Sequence, residues 1–205
     1  ILANTHQGHP PLTSDTPADN PWSLILPVCD TPQVLLTQLE AVAVNSEGAG
    51  EFEVILIAPD HPDPEISTIL DSLEGDVIIL NQPEETSLWE MMNQAALKAS
   101  GQTLAFFAAP LIPVPKWLDS LSASMKKHPD TRIFGAKIIN RFKNIVHAGM
   151  VVDINNQPVS AYLHLDGNFP SANIERPFQM VNNFLALERE TFFSLGGFCL
   201  QSGSY

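Results

Sequence analysis

The residues in this chain whose types and spacing could do chemistry are few, and most of them are acids and histidines. Asp60-His61-Pro62-Asp63 puts two carboxylates and an imidazole within four residues, donor types that take divalent ions. Asp63 also stands where a helix would need an N-cap, and capping accounts for it without a metal. His6 and His9 lie in a segment of Pro, Thr, Ser, Asp and Asn, where imidazoles are ordinarily solvated. In the second half, His147 stands beside an Ala-Gly pair, and His164 and Asp166 fall in a stretch that reads as a loop. Cys29 and Cys199 are the only cysteines, too few and too far apart for a disulfide framework or a zinc motif, and they read as reduced thiols.

Charge narrows the functions open to such residues. The net charge is −13, and the first basic residue of the chain is Lys98, after sixteen acids from Asp15 to Glu90. Nucleic acid is excluded as an expected partner, because phosphate binding rests on Lys and Arg. The same imbalance means that the N-terminal half offers no side-chain cation to a diphosphate.

The elements that must position these residues follow from periodicity. Trp22–Pro27, Glu53–Ala58, Asp76–Leu80 and Leu104–Ala108 are apolar runs of strand length. Helices are predicted between them. One follows Pro32, with Asp30 or Thr31 as cap; one spans Glu65–Leu73; one runs from Thr86 to Ala99, with Thr86 or Ser87 as cap; and one covers Lys116–Lys127. Arg132–Ile139 reads as a further strand closing the series, and Asn155-Asn156 as a turn after a strand that contains His147. Alternating strands and helices predict an α/β fold: a doubly wound, mostly parallel central sheet flanked by helices, Rossmann-like in layout. Ligands of such sheets sit outside the carboxyl ends of the strands.

At 205 residues, 44% hydrophobic and 16% charged, the composition is that of a soluble globular chain. Residues 1–21 are expected to be a linker or flexible arm, and 22–205 a single domain. The chain has no initiating Met and reads as part of something longer. No apolar run reaches the roughly 18 residues of a membrane span, and the start has no signal-peptide pattern, so a cytoplasmic location is the expectation.

Three segments carry a resemblance. Leu24-Ile-Leu-Pro-Val-Cys-Asp30, Gly101-Gln-Thr-Leu-Ala-Phe-Phe-Ala-Ala-Pro-Leu111 with Lys116-Trp-Leu118, and Val181-Asn-Asn-Phe-Leu-Ala-Leu-Glu-Arg189 running to Gly196-Gly-Phe198 resemble, in order and spacing, family 2 glycosyltransferases of the GT-A, nucleotide-sugar-dependent type. Ile145-Val-His-Ala-Gly149 is similar to a further element of that family. The resemblance implies a GT-A fold, a nucleotide-sugar donor, a glycan acceptor and a divalent manganese or magnesium ion held by an Asp-x-Asp pair. By position it implies a donor site at Pro27, Val28, Cys29, Asp30, Ala58, Asp60, Asp63, Asn93, Ala108, Pro110 and His147.

The same resemblance shows what is missing. Ala108 and Pro110 stand in the places of the Asp-x-Asp pair, Ala58 in that of the base-reading acid, and Met92 in that of a basic residue facing the diphosphate. The family's catalytic base is expected beyond Tyr205. No metal is evident from the residues, and one is expected only if the chain is active. Two readings stay open: a divergent inverting hexosyltransferase, or a non-catalytic scaffold or glycan-binding module associated with other domains of a larger glycosyltransferase.

Overall fold

The computed structural model describes residues 12, 20–46, 50–83 and 85–199. Of the arm expected over 1–21, only Leu12, Asn20 and Pro21 are among them; His6 and His9 lie outside the described residues. The described chain divides into two compact units. The first comprises Ile1–Arg132 with Leu187–Tyr205, and the second Ile133–Ala186.

The first unit follows the strand and helix alternation of the sequence. Its elements are β1 (Asn20–Pro27), α1 (Pro32–Asn45), β2 (Phe52–Pro59), α2 (Pro64–Asp71), β3 (Val77–Gln82), α3 (Leu88–Lys98), β4 (Gly101–Phe107) and α4 (Trp117–Lys127). After the second unit the chain adds β9 (Phe184–Glu188) and α5 (Arg189–Ser194). The sheet order is β3-β2-β1-β4-β9, with β1–β2, β2–β3 and β1–β4 all parallel. The chain winds outward from β1 to β3 and then returns to the other side of β1, so the winding reverses between β1 and β4. This is the doubly wound, mostly parallel arrangement that the sequence predicts. Leu24, Ile25, Ile55, Leu56, Leu104 and Ala105 are fully buried, as expected of central parallel strands covered on both faces.

Local chemistry sets the helix starts. Asp63 accepts a hydrogen bond from the Glu65 N–H at 2.8 Å and so caps α2, and the Ser87 hydroxyl accepts from the Glu90 N–H in α3. Thr31 precedes α1, which opens on Pro32 with no side-chain cap. The first turn of that helix therefore relies on proline's fixed φ. Phe106, Phe192 and Phe198 pack with ring centroids 4.9 to 5.3 Å apart, uniting β4, α5 and the Gly-Gly-Phe turn.

A buried polar node joins the amino ends of three strands. The Glu53 carboxylate accepts from the Ser23 hydroxyl and, at 2.5 Å, from the Ser100 N–H, while the Ser23 oxygen accepts from the Gly101 N–H at 2.7 Å. Glu53, Ser23 and Gly101 are all buried. The arrangement needs glycine at 101, since a Cβ there would come within 2.3 Å of the Ser23 backbone nitrogen.

The second unit is built from short antiparallel pieces. β5 (Ile138–Ile139) pairs with β6 (Ile145–His147), and β7 (Met150–Val152) with β8 (Pro158–Ser160). The strand predicted over Arg132–Ile139 is therefore a correction. Only Ile138–Ile139 is strand, Phe134 makes an isolated antiparallel bridge to Ala186, and neither joins the parallel series. The cause is the turn that follows. The Asn140 side chain accepts from the Phe142 and Asn144 N–H groups at 2.9 and 3.0 Å, and Lys143 takes φ +62°, which folds the segment back as a hairpin. The turn expected at Asn155-Asn156 is present. Its organiser is Asp153, whose carboxylate accepts from the Asn155 and Gln157 N–H groups at 2.8 Å each, bonds that hold its pKa below the ordinary value.

Substituting Gly101→Ala forces a methyl against backbone that cannot give way. It is expected to destabilise the chain by about 2 kcal/mol or more, which for a chain of this size lowers Tm by roughly 4–8 °C. Calorimetric melting of the variant beside the unaltered chain measures this.

Candidate functional site

In the first unit the carboxyl edge of the sheet is fixed by register. Pro27 pairs with Ile57, and Ile25 with Phe106, so the loops that begin at Val28, Asp60 and Ala108 leave the same end of the sheet. The Val28 N–H continues the ladder to the Ile57 carbonyl at 2.8 Å, and the Asp60 N–H reaches the Gln82 carbonyl at 3.0 Å. The edge thus carries Pro27, Val28, Cys29 and Asp30 from β1, Ala58 and Asp60 from β2, and Ala108 and Pro110 from β4. The β1 and β4 loops flank the point where the winding reverses, where the crevice of a doubly wound sheet forms.

The side chains at this edge are poor in chemistry. Ala58 is 1% exposed, so its methyl belongs to the core. Asp60 is the first acid of β2 to clear the sheet, and it is exposed, as is Asp30. Cys29 is half-buried, with its Sγ 3.5 Å from the Thr31 carbonyl oxygen. Ala108 is half-buried and Pro110 exposed. Asp63 stands apart in role, its carboxylate committed to the start of α2. The fit to a divalent ion is poor: Ala58, Ala108 and Pro110 offer only backbone carbonyls, and the described residues hold no group of three His, Cys, Asp or Glu side chains placed to bind a metal ion.

The segment 108–115, which follows β4, is bonded to α1, and the need for outside partners lies in its prolines. Pro110, Pro113 and Pro115 have no N–H, so the segment has three fewer donors with which to satisfy its own carbonyls. Helix α1 supplies the partners. Gln38 Nε2 donates to the Leu111 carbonyl at 3.1 Å, Asn45 Nδ2 to the Pro113 carbonyl at 2.8 Å, and the Lys116 N–H to the Asn45 carbonyl at 3.2 Å. Trp117 Nε1 donates to the Ser46 hydroxyl at 2.9 Å and begins α4. Sequence reasoning did not single out Gln38, Asn45 or Ser46. Each lies about seventy residues from its partner, and the only sequence signal was polar residues on an otherwise apolar helix face.

Two residues placed at the site by the sequence resemblance have other commitments. Asn93 is buried in α3, where its Oδ1 accepts from the Phe198 N–H at 2.8 Å and its Nδ2 donates to the Phe198 carbonyl at 3.0 Å. Both halves of the amide are used in holding the Gly-Gly-Phe turn. Met92, at the position expected to face a diphosphate, is fully buried.

His147 belongs to the second unit, on β6, and is 2% exposed. Its Nε2 accepts from the Gly149 N–H at 3.3 Å and the Asn182 N–H at 3.2 Å. An imidazole whose Nε2 accepts carries its proton on Nδ1, which is the neutral Nδ1–H tautomer. Gly149, at φ +93°, is required beside it, because a Cβ would meet the Phe178 ring at 2.3 Å. Among the described residues His147 is thus an internal acceptor that orders two backbone turns.

No family model matches the chain. It is 29% identical over 188 residues to the O-antigen biosynthesis protein RfbC of Myxococcus xanthus, an alignment that takes in 86% of this chain and only 14% of that protein's length. Among solved structures it is similar to S. aureus TarS 1–349 in complex with UDP-GlcNAc, at 18% identity and a TM-score of 0.47, over 57% of this chain and 34% of that one. The same protein in complex with UDP gives 18% identity and a TM-score of 0.49, over 57% and 35%. Overlaps this partial carry nothing further about the chain.

Burial holds the His147 pKa below its ordinary value near 6.5. The unfolded imidazole therefore takes up a proton before the folded one does. The stability it contributes is present above about pH 6.5 and is lost as pH falls below that, by up to about 1.4 kcal/mol per pH unit, until the folded value is reached. Hydrogen exchange at the Gly149 and Asn182 amides is expected to show this loss of protection between pH 7 and pH 5. His147→Gln, which keeps an acceptor without a titrating group, is expected to remove the pH dependence.

Proposed function

We propose that this chain is a glycosyltransferase-like domain, related to the family 2 nucleotide-sugar enzymes, whose donor and metal site no longer supports transfer, and that it works as a scaffold or glycan-binding module in polysaccharide assembly. Two things support the kinship: the order and spacing of the motifs, and the similarity to a protein of O-antigen biosynthesis. Because the chain spans 14% of that relative, the activity of the whole relative is not carried over.

The observation that carries the loss of catalysis is the chemistry of the carboxyl edge at the winding reversal. Inverting transfer needs a base for the acceptor hydroxyl, a contribution of roughly 10²–10⁴-fold, and a cation for the departing diphosphate, worth several kcal/mol when it is a metal. By the resemblance, Ala58, Ala108 and Pro110 stand where the family has acids, and no Lys or Arg precedes Lys98. A nucleoside diphosphate placed there would meet the exposed carboxylates of Asp30 and Asp60 with no counter-charge from β1 or β2. The partners that remain are a glycan and other glycosyltransferase domains. No helix among the described residues is long and apolar enough to cross a membrane, and we place the protein in the cytoplasm, where nucleotide sugars are used.

A thermal-shift titration with uridine, guanosine and thymidine diphosphates, with and without manganese, tests this. A nucleotide at 100 times its Kd would add about 2.7 kcal/mol. The expected result is no shift in any arm, and a manganese-dependent shift would establish a working donor site and with it the enzyme reading. The double variant Ala108→Asp with Pro110→Asp is expected to gain manganese binding by calorimetry. If it folds and gains none, residues 108 and 110 do not stand at the family's metal positions.

A further inference from the structure

The outer edge of the parallel sheet is open. β3 is the terminal strand in the order β3-β2-β1-β4-β9, and among the described residues no strand pairs with its far side. The hydrogen bonds to β2 show which backbone groups are left. The Val54 N–H bonds to the Asp76 carbonyl at 2.9 Å, and the Asp60 N–H to the Gln82 carbonyl at 3.0 Å, so the even-numbered positions of β3 face β2. Ile79 and Asn81 therefore direct their N–H and carbonyl groups outward, where a further strand would take them. Val77 differs, for its N–H closes a local turn to the Gly75 carbonyl at 2.8 Å. The exposed side chain in the middle of this edge is apolar: Ile79 is 38% exposed.

The charge around this edge has one sign. From residue 50 to residue 97 the chain has eleven acids, from Glu51 to Glu90, and no Lys or Arg. Glu74 and Asp76 lead into β3 and Glu85 follows it, and all three are exposed. An open apolar edge is ordinarily guarded, often by lysine. Here the flanking charges are carboxylates, which repel one class of partner and attract another. A second copy of this chain is disfavoured, because antiparallel pairing of two β3 edges would set Glu74 and Asp76 of one copy beside Glu85 of the other.

We propose that the β3 edge is a docking site for an extended, basic segment of a partner polypeptide, which adds as a sixth strand. Its backbone pairs with Ile79 and Asn81, an apolar side chain packs beside Ile79, and Lys or Arg residues meet Glu74, Asp76 and Glu85. Main-chain bonds supply affinity in this mode of recognition, and side chains supply selectivity. The proposal is independent of whether the carboxyl edge retains any donor binding.

The probe is an alternating valine–lysine peptide of about seven residues, added to the isotopically labelled chain at low salt and followed by amide chemical shifts. The expected shifts centre on Ile79 and Asn81, and raising the salt from about 0.05 M to about 0.5 M weakens binding roughly fivefold or more. Ile79→Pro removes an outward N–H without costing a bond to β2, a placement that edge strands tolerate, and is expected to weaken binding at least roughly tenfold. If that variant does not fold, Ile79→Lys keeps the strand, sets a cation against the peptide, and is expected to weaken it comparably. Three outcomes overturn the proposal: no shift at Ile79 and Asn81, unchanged affinity in the variants, or equally tight binding of an alternating valine–glutamate peptide.

Discussion

The buried carboxylate of Glu53 is the constraint from which the geometry of the first unit follows. A carboxylate removed from water is tolerated only when hydrogen bonds replace its hydration, and here the Ser23 hydroxyl and the Ser100 N–H do so. Ser23 in turn holds the Gly101 N–H. A slip of one residue in β1, β2 or β4 would separate these partners and leave a buried polar group without its bond. The node therefore sets the register at the amino ends. Register propagates along the strands and fixes which residues emerge at the carboxyl ends, so a structural acid at one end of the sheet determines what chemistry can be presented at the other.

At that other end the segment that follows β4 is tied to α1. Three prolines remove N–H groups from the wall that follows β4, and amide side chains of α1 satisfy the carbonyls left behind.

The alternation of apolar runs and capped helices made the first unit legible, because central parallel strands and helix N-termini are specified by residues close in sequence. Asp63, Ser87 and Pro32 mark their helices for that reason. The second unit was legible only in part. Its strands are two or three residues long, and its course is set by Asn140 and Asp153 turns and by non-glycine residues at positive φ such as Lys143, Asn156, Tyr162 and His164, so a run like Arg132–Ile139 looks like a strand and is bent into a hairpin. At the site, the positions of Asp30, Asp60 and Ala108 could be read from strand ends. The commitments of Asn93, His147 and Gln38 could not, since each depends on a partner that only the folded chain brings near.

The first unit is also interrupted in sequence. Residues 133–186 run into β9 and intervene before α5 and the Gly-Gly-Phe turn, and the amide of Asn93 finds its partner 105 residues later, at Phe198. During synthesis the strands β1 to β4 exist before the segment that covers Phe106 has been made. Contacts of such high sequence separation form slowly, because a long loop must close before they are rewarded. The nascent chain therefore passes through a stage in which the aromatic face of β4 lacks Phe192 and Phe198, and it depends on whatever shields that face until the segment that carries them emerges.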